Sequence, residues 1–112
     1  MKMIAAVIEH TRLDEVQKAL TDIGVKGMTV IEVKGFGNQK GHKEVYRGAE
    51  YEVRFLPKVK LEVAVPAESL DETVKAIAEA AKTGNIGDGK IFIYDLGGIL
   101  RIRTGEIGKE AI

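Results

Sequence analysis

The chain has 112 residues, which is enough for one domain with a modest hydrophobic core, so a single domain over residues 1–112 is expected. It carries 17 basic and 17 acidic side chains, and this balance gives no global electrostatic support for binding nucleic acid or an anionic membrane. It contains no cysteine, which excludes disulfides and thiolate metal sites and fits a cytoplasmic protein.

The first half of the chain predicts a strand, a helix and a second strand. Apolar runs from Met3 to Ile8 and from Met28 to Val33 are typical of strands. Between them, one helical face is apolar and consists of Leu13, Val16, Leu20 and Ile23. Thr11 is predicted to cap this helix, with Asp14 three residues later, and Gly24 is predicted to end it.

The second half repeats this order, since the segment Leu70–Ile77 echoes Leu13–Leu20. Strands are predicted from Val59 to Val65 and from Ile91 to Tyr94. The apolar face of the second helix consists of Leu70, Val74, Ile77 and Ala81, with Ser69 and Glu72 predicted at its start and Gly84 at its end.

The two strand–helix–strand units predict an α+β fold of the ferredoxin-like type, a βαββαβ sandwich. Both helices would cover one face of a four-stranded sheet. The opposite face would then expose apolar side chains, which in so small a protein suggests self-association.

A long insertion separates the two halves, from about residue 37 to 55, and shows no sustained helical or strand period. It is rich in glycine, basic and tyrosine residues: Gly37, Gly41, Gly48, Lys40, Lys43, Arg47, Arg54, Tyr46 and Tyr51. Loops of this length inside small domains are usually functional or disordered, which favours a mobile functional loop. The alternative is a long β-hairpin, because Val45, Val53 and Phe55 favour strands.

A glycine-rich loop is predicted at residues 83–90, before the last strand. Gly84, Gly87 and Gly89 surround Asp88, and Lys90 follows. Such glycines let backbone N–H groups converge on an anion, and a lysine adds the positive charge that a phosphate requires. The spacing differs from a Walker A motif, and a simple turn before a strand is the alternative.

Two arginines, Arg101 and Arg103, lie two residues apart on a segment predicted to resemble a strand, so their guanidiniums would project from one face. Together with Lys90 they suit a triphosphate. Considered by itself, the Arg-Ile-Arg segment favours the alternative, a solvated edge strand.

Four motifs in order give the chain a close resemblance to the PII signal-transduction family of nitrogen regulators. They are Gly27–Gly37, Tyr46–Tyr51, Thr83–Phe92 and Arg101–Glu106, and the resemblance covers the whole chain. It implies a homotrimer of ferredoxin-like subunits that binds ATP or ADP between subunits. It also implies that 2-oxoglutarate binds together with Mg²⁺ and ATP, and that the long loop docks onto an ammonium channel or a nitrogen-assimilation enzyme.

The resemblance also implies roles for individual residues. The nucleotide-binding set is Val7, Thr29, Gly35, Gly37, Asn38, Glu62, Ala64, Gly87, Asp88, Gly89, Lys90, Arg101 and Arg103. The 2-oxoglutarate set is Gln39, Lys40, Gly41, Lys58 and Gly87, with Gln39 also a ligand of Mg²⁺ beside the ATP phosphates. Arg47 is the implied partner contact, Tyr51 a possible modification site, and residues 101–109 the C-terminal loop.

Three functions of different classes follow. The favoured one is a regulatory sensor of nitrogen, carbon and energy status that is cytoplasmic and reaches the membrane only through a channel partner. A slow ATP-hydrolysing enzyme is the second, although the sequence shows no nucleophilic constellation with a catalytic base. An RNA-binding ferredoxin-like module is the third, and the scattered Phe36, Phe55 and Phe92 and the zero net charge disfavour it.

Overall fold

The computed structural model describes residues 1–37, 44–46, 49–51 and 55–112, and for residues 44–46 and 49–51 it describes the backbone alone. The helices are α1 (Leu13–Asp22) and α2 (Leu70–Ala81). The strands are β1 (Lys2–Glu9), β2 (Thr29–Gly35), β3 (Glu44–Tyr46), β4 (Ala49–Tyr51), β5 (Leu56–Val65) and β6 (Gly89–Asp95).

Four strands form one antiparallel sheet in the order β2–β5–β1–β6. The helices pack together, and α2 also contacts β1. This arrangement confirms the predicted ferredoxin-like fold. The four predicted strands are also confirmed, although most are longer than the apolar runs alone indicated.

The hydrophobic core lies between the helices and one face of the sheet. Alternate residues of β1 and β5 enter it, among them Ile4, Ile8 and Leu61, which are almost fully buried. Both predicted helix faces contact this core: Val16, Leu20, Ile77 and Ala81 are buried, while Leu13, Ile23, Leu70 and Val74 are partly buried against it. Hydrophobic periodicity therefore identified the helix faces correctly.

The prediction that Thr11 caps α1 is wrong, because a short 3₁₀ turn, His10–Arg12, precedes the helix and Arg12 occupies the cap position. Ser69 does occupy the cap position of α2, but its side chain makes no capping hydrogen bond. The 3₁₀ turn before the helix instead provides a partner for the backbone N–H of Ser69, which donates to the Pro66 carbonyl at 3.0 Å.

The predicted helix ends have different outcomes. Gly24 follows the end of α1 with φ of +92°, a left-handed conformation that glycine adopts readily, so this prediction is confirmed. Gly84 does not end α2, because the helix already ends at Ala81 and Lys82 is extended. The positive φ of Gly84 belongs to the loop that follows.

The face of the sheet away from the helices, called the open face below, combines apolar and charged side chains. By strand alternation and register it carries Met3, Ala5, Val7, Glu9, Thr29, Ile31, Val33, Lys58, Lys60, Glu62, Ala64, Lys90, Phe92 and Tyr94. Phe92 is 45% exposed and Tyr94 49% exposed, so the expected exposed apolar side chains are present.

The insertion between β2 and β5 contains β3 and β4, which pair antiparallel with Tyr46 opposite Ala49. The hairpin alternative therefore holds for these six residues. At the base of the insertion, Phe36 and Phe55 pack edge to face with ring centroids 5.3 Å apart. No helix in the described ranges is long and apolar enough to cross a membrane.

Candidate functional site

The glycine-rich loop connects α2 to β6, and its glycines adopt conformations that other residues rarely reach. The φ angles of Gly84, Gly87 and Gly89 are +87°, +101° and +105°. Such positive values are costly for a residue with a Cβ atom. The glycines are therefore required for the path of this loop, whatever it binds.

Asp88 holds the loop together from within. Its carboxylate accepts hydrogen bonds from the backbone N–H of Thr83 at 2.9 Å, from that of Gly84 at 3.0 Å, and from the Thr83 hydroxyl. The bonds from Thr83, followed by that from Gly84, hold the pKa of Asp88 below its ordinary value. The carboxylate of Asp88, predicted to bind nucleotide, is thus engaged with its own loop.

Gly89 begins β6 and lies unusually close to β1. A Cβ atom at this position would overlap the carbonyl oxygen of Val7 and would lie 2.8 Å from the carbonyl carbon. Only a glycine allows this close approach, so the end of the loop packs directly against the backbone of β1. In the sheet register, the next residue, Lys90, lies opposite Val7. The sequence motif predicts a phosphate role for Gly89, whereas its close packing against β1 is visible only in the structure.

A cleft of about 630 Å³ opens beside this loop. Its lining residues are Val7, Gly35, Phe36, Gly37, Lys58, Asn85, Ile86, Gly87, Asp88, Gly89, Lys90 and Phe92. Eight of the predicted ligand-binding residues are among them, drawn from β1, the end of β2, β5 and the glycine-rich loop. The structure thus brings together one group of the predicted site residues.

Lys58 is the buried cation of this cleft, with 7% of its surface exposed. Its Nζ donates to the carbonyl oxygen of Gly87 at 2.6 Å and to Oε1 of Glu9 at 3.1 Å. Glu9 lies directly opposite Lys58 in the β1–β5 register. Glu9 was not among the residues predicted from the sequence, because its pairing with Lys58 becomes visible only once the strand register is known.

A second cleft, of about 720 Å³, lies at the opposite end of the sheet, between the start of β2, the end of β5, the start of α2 and the C-terminal residues. Thr29, Glu62 and Ala64, three of the predicted nucleotide-binding residues, line this cleft and do not line the first. Glu62 pairs with Thr29 in the register, and Ala64 follows Glu62 by two residues on the same face of β5, which explains why the three residues are close together. Within one chain, the described residues predicted to bind nucleotide, other than Arg101 and Arg103, are therefore divided between two clefts.

The segment containing Arg101 and Arg103 is a turn, so the prediction that it resembles a strand is wrong. The Arg101 N–H donates to the Glu106 carbonyl at 2.9 Å, and the Gly105 N–H donates to the Arg101 carbonyl at 2.8 Å. Gly105 has φ of +73°, which allows the chain to reverse between these bonds. The side chains consequently need not share a face as they would on a strand.

Arg101 already has partners within the chain. Its guanidinium donates to a carboxylate oxygen of Glu106 at 3.3 Å and to the main-chain carbonyl of Ile112 at 2.9 Å. Arg103 is exposed. Neither Arg101 nor Arg103 is among the described residues that line the first cleft, so neither arginine lies beside Lys90 in that cleft.

Several predicted site residues lie outside the described part of the chain. These are Asn38, Gln39, Lys40, Gly41 and Arg47. Tyr51 lies in β4, where only the backbone is described.

Comparison with known proteins identifies the family. The family model described as nitrogen regulatory protein P-II matches residues 1–106. Proteins named nitrogen regulatory protein P-II from Haemophilus influenzae and Rhizobium etli are 60% and 59% identical to this chain over 112 residues, with both proteins covered completely. Nitrogen regulatory protein P-II 1 of Escherichia coli K12 is 57% identical over the same complete length. These relatives are named as regulatory proteins, which favours a regulatory role over a catalytic one. The chain therefore belongs to the P-II family of nitrogen regulatory proteins and is a nitrogen-status signalling regulator.

Proposed function

We propose that this chain is a cytoplasmic sensor that binds ATP or ADP together with 2-oxoglutarate and regulates partner proteins through its long loop. The observation that carries the proposal is the cleft beside the glycine-rich loop, where the buried Lys58 lies within hydrogen-bond distance of Gly87. Two lysines, Lys58 and Lys90, line this cleft beside the glycine-rich loop, which suits an anionic ligand. The family resemblance supplies the identity of the ligands.

The phosphates of the nucleotide are proposed to bind at Gly87, Gly89 and Lys90. The positive φ angles of the two glycines let the backbone approach a ligand without interference from side chains. Lys90 is exposed in the single chain, so its ammonium group is available to a phosphate oxygen. The carboxylate of Asp88 supports this site by ordering the loop, while only its backbone is left to contact phosphate.

The nucleotide site is proposed to be shared between subunits of a homotrimer. The predicted residues that line a cleft are divided between two clefts of one chain, and Arg101 and Arg103 line neither, which suits a site that a second copy completes. The open face exposes Phe92 and Tyr94, and Ile102, between Arg101 and Arg103, is 94% exposed. A second copy would bury this apolar surface and would bring its arginines to the phosphates.

2-Oxoglutarate is proposed to bind through Lys58, with Mg²⁺ held by the ATP phosphates, by Gln39 and by the ligand itself. The Lys58 ammonium can pair with a carboxylate. A neutral amide oxygen suits Mg²⁺, which is a hard cation that prefers oxygen ligands. Gln39 lies outside the described residues, as do Lys40 and Gly41 of the same proposed site.

Calorimetry with a charge-removing variant tests the phosphate site. Lys90→Ala is expected to weaken ATP binding by about 10- to 100-fold, because a charge-assisted hydrogen bond contributes roughly 1.5–3 kcal/mol. Lys18→Ala removes the same charge from the exposed surface of α1 and should leave ATP affinity unchanged. Equal ATP affinity in Lys90→Ala and the wild type would refute the assignment.

Complementation tests whether the site is shared. Lys90→Ala and Arg101→Ala homotrimers are each expected to bind ATP poorly. Subunits of the two variants mixed in one trimer should regain intact sites wherever an unmutated Lys90 meets an unmutated Arg101 of its neighbour. If mixing restores no binding, the two residues do not act across a subunit interface.

Linkage tests the second ligand. 2-Oxoglutarate should bind tightly only with Mg²⁺ and ATP present, and ADP should support its binding poorly because it lacks the γ-phosphate oxygens. Reciprocity requires 2-oxoglutarate to tighten ATP by the same factor. Equal 2-oxoglutarate affinity with and without Mg-ATP would exclude this arrangement.

The output is proposed to run through the long loop, with Arg47 contacting an ammonium channel or a nitrogen-assimilation enzyme and Tyr51 as a possible modification site. ADP is expected to favour docking on a channel, and Mg-ATP with 2-oxoglutarate to oppose it, because each ligand state selects a loop conformation. Deleting residues 43–50 should abolish co-purification with the partner while ATP affinity stays nearly intact. Partner binding at wild-type strength after that deletion would rule out the loop as the recognition element.

A further inference from the structure

The charge balance around Lys58 is unusual for a residue proposed to bind an anion. The side chain is almost fully buried, and two of the three donors of its ammonium group are directed to Gly87 and Glu9. Glu9 supplies a full negative charge at 3.1 Å. In the ligand-free chain the positive charge of Lys58 is therefore already compensated.

The position of Glu9 follows from the sheet itself. It is the last residue of β1 and is directly opposite Lys58 in β5, so both side chains project from the open face. Lys58 lines the cleft beside the glycine-rich loop, whereas Glu9 is absent from the described residues that line it. Glu9 thus compensates the charge of Lys58 from β1, beside the space where a ligand would enter.

We propose that Glu9 sets the affinity of this site for a dicarboxylate by competing, as a built-in carboxylate, for the charge of Lys58. The inference rests on the proposed function, in which Lys58 pairs with 2-oxoglutarate. A ligand carboxylate that reaches Lys58 must displace Glu9 or share the ammonium with it, and two carboxylates at one site repel each other. Binding then requires separation of an existing ion pair, so Glu9 raises the ligand concentration at which the site fills.

The same pair explains how the buried lysine is tolerated in the absence of ligand. An uncompensated charge at this depth is strongly unfavourable, and Glu9 removes that penalty. A bound carboxylate would provide the same compensation. Glu9 and the ligand would therefore have equivalent roles towards Lys58, which is the basis of their competition.

Glu9→Gln tests the proposal, because the amide oxygen can still accept a hydrogen bond from Lys58 while the negative charge is removed. Calorimetry with 2-oxoglutarate and saturating Mg-ATP is expected to show about 10-fold tighter binding than in the wild type, the equivalent of one charge-assisted hydrogen bond. Glu79→Gln, which removes an exposed carboxylate from α2, should leave the affinity unchanged.

The outcomes separate this inference from the proposed function. If the wild type binds 2-oxoglutarate and Glu9→Gln binds it equally or more weakly, the role of Glu9 is refuted and the proposed ligand stands. If the wild type does not bind 2-oxoglutarate with Mg-ATP, both are refuted. Equal tightening in Glu79→Gln would show a general charge effect and would also refute the role of Glu9.

A measurement on the wild-type protein covers the case in which Glu9→Gln does not fold. The carboxyl ¹³C resonance of Glu9, assigned from its loss in Glu9→Asp, should shift when 2-oxoglutarate is added in the presence of Mg-ATP. A resonance that stays in place while the ligand binds would show that the Glu9–Lys58 pair is retained. The competition would then be excluded.

Discussion

Replacing Gly89 with alanine tests the geometry of the glycine-rich loop more directly than any change of charge. Two separate effects oppose a Cβ atom at this position. The φ angle of +105° is unfavourable for alanine by roughly 1–2 kcal/mol. The new atom would also overlap the carbonyl oxygen of Val7 and approach Ile8 Cα to 3.2 Å, which forces the backbone of β1 or β6 to move.

The second effect resembles overpacking of a core, which costs about 1–3 kcal/mol. Together the two effects lower the free energy of unfolding of Gly89→Ala by about 2–5 kcal/mol, a large part of the total stability of a small protein, roughly 5–15 kcal/mol. With a urea dependence of about 1–3 kcal/mol per molar, the urea midpoint should fall by about 1 M or more. On the proposed function, ATP binding should weaken as well, because the loop is displaced from β1.

Two further glycines provide matched controls. Gly24 has φ of +92° and open space around its Cβ position, so Gly24→Ala should show only the conformational cost of about 1–2 kcal/mol. Gly97 has open space and no positive φ, so Gly97→Ala should change stability by less than about 0.5 kcal/mol. All unfolding curves should be recorded at one protein concentration, because self-association would make the midpoint depend on it. If Gly89→Ala unfolds with the Gly24→Ala midpoint, the steric argument is wrong.

Two further predictions concern contacts within the chain. The carboxylate of Asp88 has a lowered pKa in the folded protein. The stabilising hydrogen bonds that it accepts from Thr83 are therefore fully present above the ordinary aspartate pKa of about 3.9, and they are lost as the pH falls through the lower pKa of the folded protein. The backbone amide ¹H shifts of Thr83 and Gly84 should therefore titrate with a midpoint below about pH 3.9. Asp88→Asn should remove that titration. A midpoint at or above the ordinary aspartate pKa would contradict the interpretation. Arg12 donates two hydrogen bonds, of 3.0 and 2.8 Å, to the carbonyl of Ala80. A lysine cannot reproduce this forked geometry, so Arg12→Lys should lower the free energy of unfolding, measured with urea, by about 1 kcal/mol. The control Arg103→Lys, on the exposed turn, should lower it by almost nothing. Equal losses in the two variants would show that the forked pair of hydrogen bonds is unimportant.

The elements of this fold were predictable because their signals are local in the sequence. The spacing of Val16 and Leu20, and of Leu70 and Ile77, places apolar side chains on one face of each helix regardless of the rest of the chain. The repeated pattern then predicted the two-layer arrangement. The glycine-rich loop was likewise recognisable, since closely spaced glycines before a strand mark a loop with unusual backbone angles.

The errors have a common physical cause, which is that the decisive contact lies far away in the sequence or depends on the actual path of a turn. The start of α1 is fixed partly by Arg12, which bonds to a carbonyl 68 residues later. The reversal after Arg101 depends on the left-handed Gly105, so the two-residue period of a strand does not apply. Glu9 and Lys58 are 49 residues apart and become neighbours only through the sheet register.

The position of Lys58 suggests how ligand binding could reach the long loop. A Cβ atom at Gly35 would lie 3.6 Å from Cγ of Lys58, so the stem of the lysine packs against the last residue of β2, just before the insertion begins. β5, which carries Lys58, is also the strand to which the insertion returns. A ligand that draws the ammonium of Lys58 away from Glu9 or Gly87 would therefore act on a side chain that connects β2 and β5, the two strands that flank the insertion. On the proposed function, this contact would connect occupancy of the cleft to the conformation of the loop.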